Sequence, residues 1–119
     1  MRPDTKTDRM EFLQGTLDML VLRTLALGPL HGYGIAQSIR QNSETALAVE
    51  AGSLYPSLQR LELQGLINAR WEISERNRRA RVYRLTPQGR KRLEVEVSRW
   101  NEFVRAVGMV LNPGTGEEA

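Results

Sequence analysis

The spacing of the hydrophobic residues changes abruptly at Gly65, from a helical to a strand-like period. Before this glycine, leucines recur every three to four residues, as on one face of a helix. After it, apolar and polar residues alternate over 67–73, and a second such stretch at 81–85 follows a polar turn. Alternation places every second side chain on one face of a strand, so we predict a β-hairpin whose buried face carries Ile67, Ala69, Trp71 and Ile73. The chain must therefore combine helices with a small antiparallel sheet.

Two helices are predicted in the first third of the chain. Residues 1–11 are polar and are expected to be loose. Thr16 is a suitable N-cap for the first helix, which ends at Gly28-Pro29. A second, short helix begins at His31, which we interpret as a helix-start or packing residue because no second metal ligand or catalytic partner is spaced near it. Residues 45–49 form either a small strand or an extended link.

A third helix precedes the hairpin and a long fourth helix follows it. Ser53 is the predicted N-cap of the third helix, and Gly65 lies just beyond its end. Thr86 followed by Pro87 is a typical helix start, and the apolar pattern then continues to about Leu111.

Three helices followed by a basic hairpin is the element order of a winged helix-turn-helix. We therefore predict a mainly α (α+β) fold, in which the third helix enters the DNA major groove and the hairpin, or wing, lies along the DNA backbone. With 119 residues the chain has room for one domain. The predicted parts are a DNA-binding domain at 1–86, a dimerisation helix at 87–111 and a disordered tail at 112–119.

The composition argues against an enzyme, a metalloprotein and a membrane protein. The chain has no cysteine and one histidine, which excludes disulfides, thiolate metal sites and a cysteine nucleophile. It also lacks a glycine-rich phosphate loop and an evident acidic pair. The sequence therefore contains no recognisable set of catalytic residues, and no cofactor is expected. Polar residues interrupt every apolar stretch, so no transmembrane helix or secretory signal is visible. A cytoplasmic location is the expectation.

Positive charge is concentrated in one segment. The net charge is +3, and 15 of the 17 basic residues are arginines. Nine basic and two acidic residues lie between Arg70 and Arg92, so this window alone carries +7. Arginine forks suit phosphate oxygens and guanine edges. The window therefore indicates a nucleic-acid partner, with a well-solvated surface as the alternative.

Candidate DNA contacts lie off the leucine stripe of the third helix and in the wing. Hydroxyls near the start of the third helix suit phosphates, and its later polar side chains suit base edges. The alternatives are ordinary surface positions, packing of Tyr55 on the wing, and a solvated turn. The candidates are Ser53, Tyr55, Ser57, Gln59, Arg60, Arg76, Arg78, Arg79 and Arg81.

The last helix carries an apolar heptad seam, which predicts dimerisation. Further apolar residues widen the seam beyond what one small domain could cover. The alternative is a helix folded back on its own domain, and part of the seam is expected to do this as well. The seam residues are Leu93, Val97, Trp100, Val104, Val107 and Leu111.

Several motifs together resemble the PadR family of bacterial transcriptional regulators, over roughly residues 12–90. The single terminal helix is similar to the smaller subgroup of that family. The resemblance implies a homodimeric repressor that responds to a ligand or to stress and binds an inverted-repeat operator in double-stranded DNA. A winged-helix module that binds protein or RNA is the alternative. The motifs are Gly15-Thr16-Leu17, Leu30-His31-Gly32-Tyr33-Gly34-Ile35, Gly52-Ser53-Leu54-Tyr55-Pro56-Ser57-Leu58-Gln59-Arg60-Leu61-Glu62, Gly65-Leu66-Ile67, and Arg78-Arg79-Ala80-Arg81-Val82-Tyr83-Arg84-Leu85-Thr86 with Gly89.

The resemblance has two further consequences. The family's wing tip commonly contains glycine, whereas this chain has Arg76-Asn77-Arg78-Arg79, in which asparagine tolerates the left-handed conformation of a tight turn. In some members of the smaller subgroup, a tryptophan at the place of Trp100 lines a pocket between subunits where flat aromatic effectors stack. Packing in the dimer core is the alternative role for Trp100.

Overall fold

Within residues 5–114, four helices combine with a three-stranded antiparallel sheet, which confirms the mainly α winged-helix fold. The computed structural model describes the backbone of residues 5–114 and the side chains of residues 15–114. In chain order the elements are α1 (Thr5–Ala26), β1 (Leu30–His31), α2 (Gly32–Asn42), α3 (Ala51–Leu63), β2 (Ile67–Ile73), β3 (Arg79–Leu85) and α4 (Pro87–Leu111).

Two helices begin earlier than predicted. Helix α1 starts at Thr5, so Thr16 lies inside the helix, and the prediction of a loose segment at 1–11 is wrong from residue 5 onward. Most of residues 6–14 are good helix formers, which favours the earlier start. Helix α3 starts at Ala51 after Glu50, whose side chain makes no capping hydrogen bond, and Ser53 is therefore not its N-cap.

The other predicted helix ends agree with the structure. The His31 imidazole accepts a hydrogen bond of 3.0 Å from the Gly34 N–H, so this residue is the N-cap of α2, as predicted. Gly65 has φ of +75° just beyond α3. The Thr86 hydroxyl accepts a 3.0 Å bond from the Gly89 N–H, with Pro87 as the first residue of α4.

The sheet has the order β1-β3-β2, and its third strand was not predicted. Residues 45–49 form an extended link without strand pairing, whereas Leu30 and His31 pair with β3. The β2–β3 hairpin, which we call the wing, buries only its proximal half. Trp71 and Ile73 remain 55% and 69% exposed, so the prediction that they are buried is wrong. They lie beyond the edge of the core, near the turn.

The core fills the space between the three N-terminal helices and the base of the wing. Leu54, Leu58 and Leu61 of α3 are 1–2% exposed, which confirms the predicted buried stripe. Leu93 of α4 joins this core at 7% exposure, so it packs on its own domain and is not a surface residue of the predicted dimer seam. The first turns of α4 therefore contribute to the fold of the winged helix.

Three expectations can be compared with the structure only within the residues that it describes. The predicted tail at 112–119 lies outside the described residues from position 115 onward. Among the helices of residues 5–114, none is long and apolar enough to cross a membrane. The same part of the chain contains no cluster of three or more potential metal ligands.

Candidate nucleic-acid interface

Helix α3 presents a polar surface on the side opposite its leucine stripe. Ser53 and Gln59 are exposed, and Tyr55 is 48% exposed. A helix turns by about 100° per residue, which places these three side chains about 100° or more from the centre of the stripe. These three predicted contact residues are therefore available to a partner.

Ser57 does not belong to this surface, and the prediction of a DNA contact there is wrong. Its side chain is fully buried, and its hydroxyl donates a short hydrogen bond to the Asp18 carboxylate of α1. The same carboxylate oxygen accepts a 2.8 Å bond from Nη2 of Arg60. This network ties α3 to α1. Arg60 is predicted to reach a base edge, but its side chain is only 32% exposed and already neutralises Asp18.

Tyr55 leans on the start of α2. A Cβ atom added to Gly32 would lie 2.6 Å from the Tyr55 hydroxyl oxygen, so the absence of a side chain at Gly32 makes room for the ring. The contact explains how a half-exposed tyrosine is held in one place on the first turns of α3. Its ring therefore packs at the start of α2.

Tyr83 of β3 is the buried tyrosine of this region. Burial raises the pKa of its hydroxyl above the ordinary value, while the nearby Arg81 guanidinium acts in the opposite direction. The negative charge of Glu62 and the Tyr55 hydroxyl also raise this pKa. Tyr83 is therefore a neutral, buried side chain beneath the interface.

The wing ends in a tight turn whose geometry suits its sequence. Asn77 has φ of +61°, the left-handed conformation anticipated for a turn without glycine. The Ser74 N–H donates to the Arg78 carbonyl oxygen at 2.7 Å, and the Asn77 N–H donates to the Ser74 carbonyl oxygen at 2.9 Å. Arg76 and Arg78 are exposed at the tip. In the described part of the chain, neither guanidinium forms an ion pair.

The wing is tied to α3 through an arginine in its distal half. Nη2 of Arg81 lies 2.8 Å from Oε2 of Glu62, and the two side chains are 40% and 33% exposed. Arg81 and Arg79 also lie over the indole of Trp71, with guanidinium carbons 5.9 Å and 4.8 Å from its ring centroid. Sequence reasoning missed Trp71 as a surface residue. The available signal was its position next to the arginine-rich turn, where the core ends.

The arginines of the wing therefore differ in their partners. Arg81 is paired with Glu62, and on the opposite face of the hairpin Arg84 donates a 2.8 Å bond to Glu72. Arg79 is exposed and, within residues 15–114, has the Trp71 ring as its neighbour but no ion-pair partner.

Helix α4 leaves the body of the domain along its length. Val97, Val104 and Leu111, which are seven residues apart, are 36%, 48% and 71% exposed. Val107 is half-buried. This part of the predicted seam is thus an apolar surface that the described part of the chain does not cover.

Trp100 lies where α4 crosses α1. It packs partly against the core, and its ring centroid is 6.1 Å from that of Phe103. Trp100 and Phe103 line a shallow pocket of about 270 Å³ with Met19 and other residues of α1. The pocket combines aromatic walls with the polar side chains of Glu96 and Arg99.

Comparison with known proteins agrees with this architecture. Over 97 residues, the chain is 33% identical to a transcriptional regulator of Mycobacterium tuberculosis, with 82% of this chain and 87% of that protein covered. It is 41% identical over 100 residues to an uncharacterized 37.1 kDa protein in a transposon of Streptomyces fradiae, where the match covers 84% of this chain and 26% of that protein. The chain thus spans about a quarter of the transposon protein's length.

Solved structures and a family model point the same way. The crystal structure of a PadR family transcriptional regulator from Eggerthella lenta superimposes with a TM-score of 0.74 at 32% identity, covering 90% of this chain and 91% of that one. A PadR family regulator from Clostridium difficile gives 0.70 at 27% identity, covering 80% and 97%. The model of the transcriptional regulator PadR-like family matches residues 21–95. The resemblance predicted from the motifs is confirmed, and this chain belongs to the PadR-like family of transcriptional regulators.

Proposed function

We propose that this PadR-like regulator represses transcription as a homodimer bound to an inverted-repeat operator. In this proposal, α3 of each subunit enters the major groove of one half-site, and the wing follows the neighbouring backbone. The observation that carries it is the set of exposed wing arginines without an ion-pair partner in the described part of the chain, next to the polar surface of α3. Such a protein acts in the cytoplasm of a bacterium, where its operator is.

The free arginines supply the sequence-independent part of binding. Arg76, Arg78 and Arg79 are exposed, so their charges can replace the counterions of DNA phosphates. Arg81 and Arg60 already neutralise carboxylates and contribute less to this attraction. In this proposal Gln59, on the exposed side of α3, recognises the edges of DNA bases. Ser53 and Tyr55, near the start of the helix, contact phosphates.

The second copy would cover α4. Val97, Val104 and Leu111 form one stripe, and Phe103, 49% exposed, widens it. An exposed apolar stripe of this length is costly in water unless a partner buries it. A second α4 has the matching pattern, and a twofold dimer would match the symmetry of an inverted repeat.

We extend the proposal to an aromatic effector. The pocket beside Trp100 is open on one side and has Phe103 as a second aromatic wall. A second subunit on α4 would lie close to this opening. A flat aromatic molecule stacked on Trp100 would then contact both subunits and could change their relative orientation on DNA.

The test is the salt dependence of DNA binding. Fluorescence anisotropy would measure the affinity for a duplex containing the protein's own promoter at several salt concentrations. Replacing Arg78 and Arg79 by alanine should weaken binding to every duplex and reduce the salt slope by about one to two units. Arg105→Ala, which removes an exposed charge from α4, is the control and should leave the slope nearly unchanged.

Two results would contradict the proposal. An unaltered slope in the Arg78→Ala/Arg79→Ala variant would mean that the wing does not reach phosphates. Failure of the wild type to bind any duplex would favour the module that binds protein or RNA.

A further inference from the structure

The wing carries an exposed indole between two guanidinium groups. Trp71 is 55% exposed, although tryptophan is the largest apolar side chain and the core begins only two residues away along β2. It pairs with Arg81 across the hairpin, and the next pair towards the tip is Ile73 with Arg79. All four side chains share one face of the hairpin. A large aromatic ring that stays outside the core and contacts cations calls for a role at the surface.

The two arginines on this ring are in different states. Arg81 is held from both sides, by Glu62 at 2.8 Å and by the indole at 5.9 Å, and its Nε is buried without a hydrogen-bond partner. Arg79 is closer to the ring, at 4.8 Å, and is exposed. Arg81 therefore connects the wing to α3. Arg79 carries the available charge.

We propose that Trp71 is a positioning residue, which holds Arg79 in the orientation needed to contact the DNA backbone. This inference rests on the proposed function and adds a residue to it. A guanidinium uses its flat face to stack on an aromatic ring, so its N–H groups, which lie in the plane, stay free to donate to phosphate oxygens. Stacking before binding also removes part of the entropy that a free arginine side chain loses on binding.

The same contacts set the position of the wing relative to α3. Glu62 of α3 holds Arg81, Arg81 contacts Trp71, and Trp71 holds Arg79. The available charge of Arg79 thus stands at a defined place relative to the recognition helix. At the tip, Arg76 has no such support from the indole, and it serves as the matched comparison.

The experiment is a double-mutant cycle on affinity for the promoter duplex. Trp71→Leu should weaken binding about two- to five-fold, as expected for loss of an exposed cation–π contact. In the Arg79→Ala background the same change should have almost no further effect, because the side chain that Trp71 positions is gone. In the Arg76→Ala background, Trp71→Leu should still cost its full factor.

Two conservative variants separate positioning from structure. Trp71→Phe keeps an aromatic face and should retain most of the affinity. Arg79→Lys keeps the charge but loses the planar stack, so it should bind more weakly than the wild type. Because Trp71 is largely exposed, the Trp71→Leu variant should melt within a few degrees of the wild type. If that variant does not fold, the comparison of Trp71→Phe with Arg79→Lys decides.

The outcomes distinguish this inference from the function on which it rests. If the wild type binds the duplex and the losses from Trp71→Leu and Arg79→Ala multiply, Trp71 does not act through Arg79 and the inference is overturned. Affinity of Arg79→Lys equal to that of the wild type would overturn it as well. If the wild type binds no duplex at all, the proposed function fails first.

Discussion

Alanine at Gly89 should destabilise the protein strongly, although alanine is the better helix former. Gly89 is buried in the first turn of α4. A Cβ atom there would overlap the carbonyl oxygen of Leu66 and lie 2.7 Å from Cδ1 of Leu85. No left-handed backbone conformation is involved at this position, so the loss comes from the close approach of α4 to Leu66, in the turn between α3 and β2, and to Leu85 at the end of β3.

The size of the effect follows from what holds the Leu66 carbonyl in place. Its oxygen accepts a 3.1 Å hydrogen bond from the Thr86 N–H and lies 3.0 Å from the Thr86 hydroxyl. Moving it aside weakens contacts worth about 1 kcal/mol each. Overpacking adds about 1–3 kcal/mol, and the better helix propensity of alanine returns up to about 1 kcal/mol. The net loss should be about 2–4 kcal/mol, or roughly 10 °C or more in melting temperature for a domain of this size.

Thermal melts followed by circular dichroism would test this. Gly108→Ala is the control in the same helix, because a Cβ atom added there would point into open space. The Gly108→Ala variant should melt at or above the wild-type temperature. All samples need the same protein concentration, since the melting temperature of the proposed dimer would depend on it. A Gly89→Ala variant that melts within about 2 °C of the wild type would refute the steric argument.

Three other predictions concern assembly, DNA contact and pH. Glutamate at both Val97 and Val104 would place like charges on the exposed stripe, so sedimentation should find monomers; an unchanged dimer would place the interface elsewhere. Tyr55→Phe removes one hydroxyl and should lower DNA affinity several-fold, by about 0.5–1.5 kcal/mol, without changing the melting temperature; a lower melting temperature with unchanged affinity would place the hydroxyl in an internal network. Burial raises the pKa of Tyr83 above 10.0, so its contribution to stability is present below pH 10 and is lost as the pH rises through the folded-state pKa. The free energy of unfolding, measured with urea, should therefore decline less steeply above pH 10 for Tyr83→Phe than for the wild type. Equal declines would contradict the assignment.

The sequence predicted those features of the fold that depend on a residue's own backbone conformation or on its near neighbours. Gly65 ends α3 in a left-handed conformation, and Thr86 with Pro87 starts α4, as their chemistry requires. The switch from helical to alternating spacing located both strands of the wing. These features depend on neighbours within a few residues, which a linear sequence displays.

Features that depend on distant partners were missed. The strand Leu30–His31 has two residues and exists because β3 offers an edge for pairing, some fifty residues later. Ser57 has the chemistry of a phosphate contact, but Asp18 of α1 binds its hydroxyl and draws it into the core. Position 57 lies three residues after Leu54 and four before Leu61, so helical spacing already places it on the buried face. Its partner could not be foreseen, because no spacing rule links positions 18 and 57.

Ion pairs within the fold decide how much of the positive charge is available to a partner. Four arginines of the wing look equivalent in the sequence, yet a binding surface depends on which charges remain unneutralised in the folded state. Glu62 neutralises Arg81, which reduces the positive charge available to DNA. The same ion pair attaches the wing to α3 and so fixes the position of the remaining wing arginines. A variant such as Glu62→Gln would leave Arg81 unpaired and raise the net positive charge. By charge counting it should bind DNA more tightly; by the geometry it should lose the fixed placement of the wing, and with it the discrimination between the operator and other duplexes.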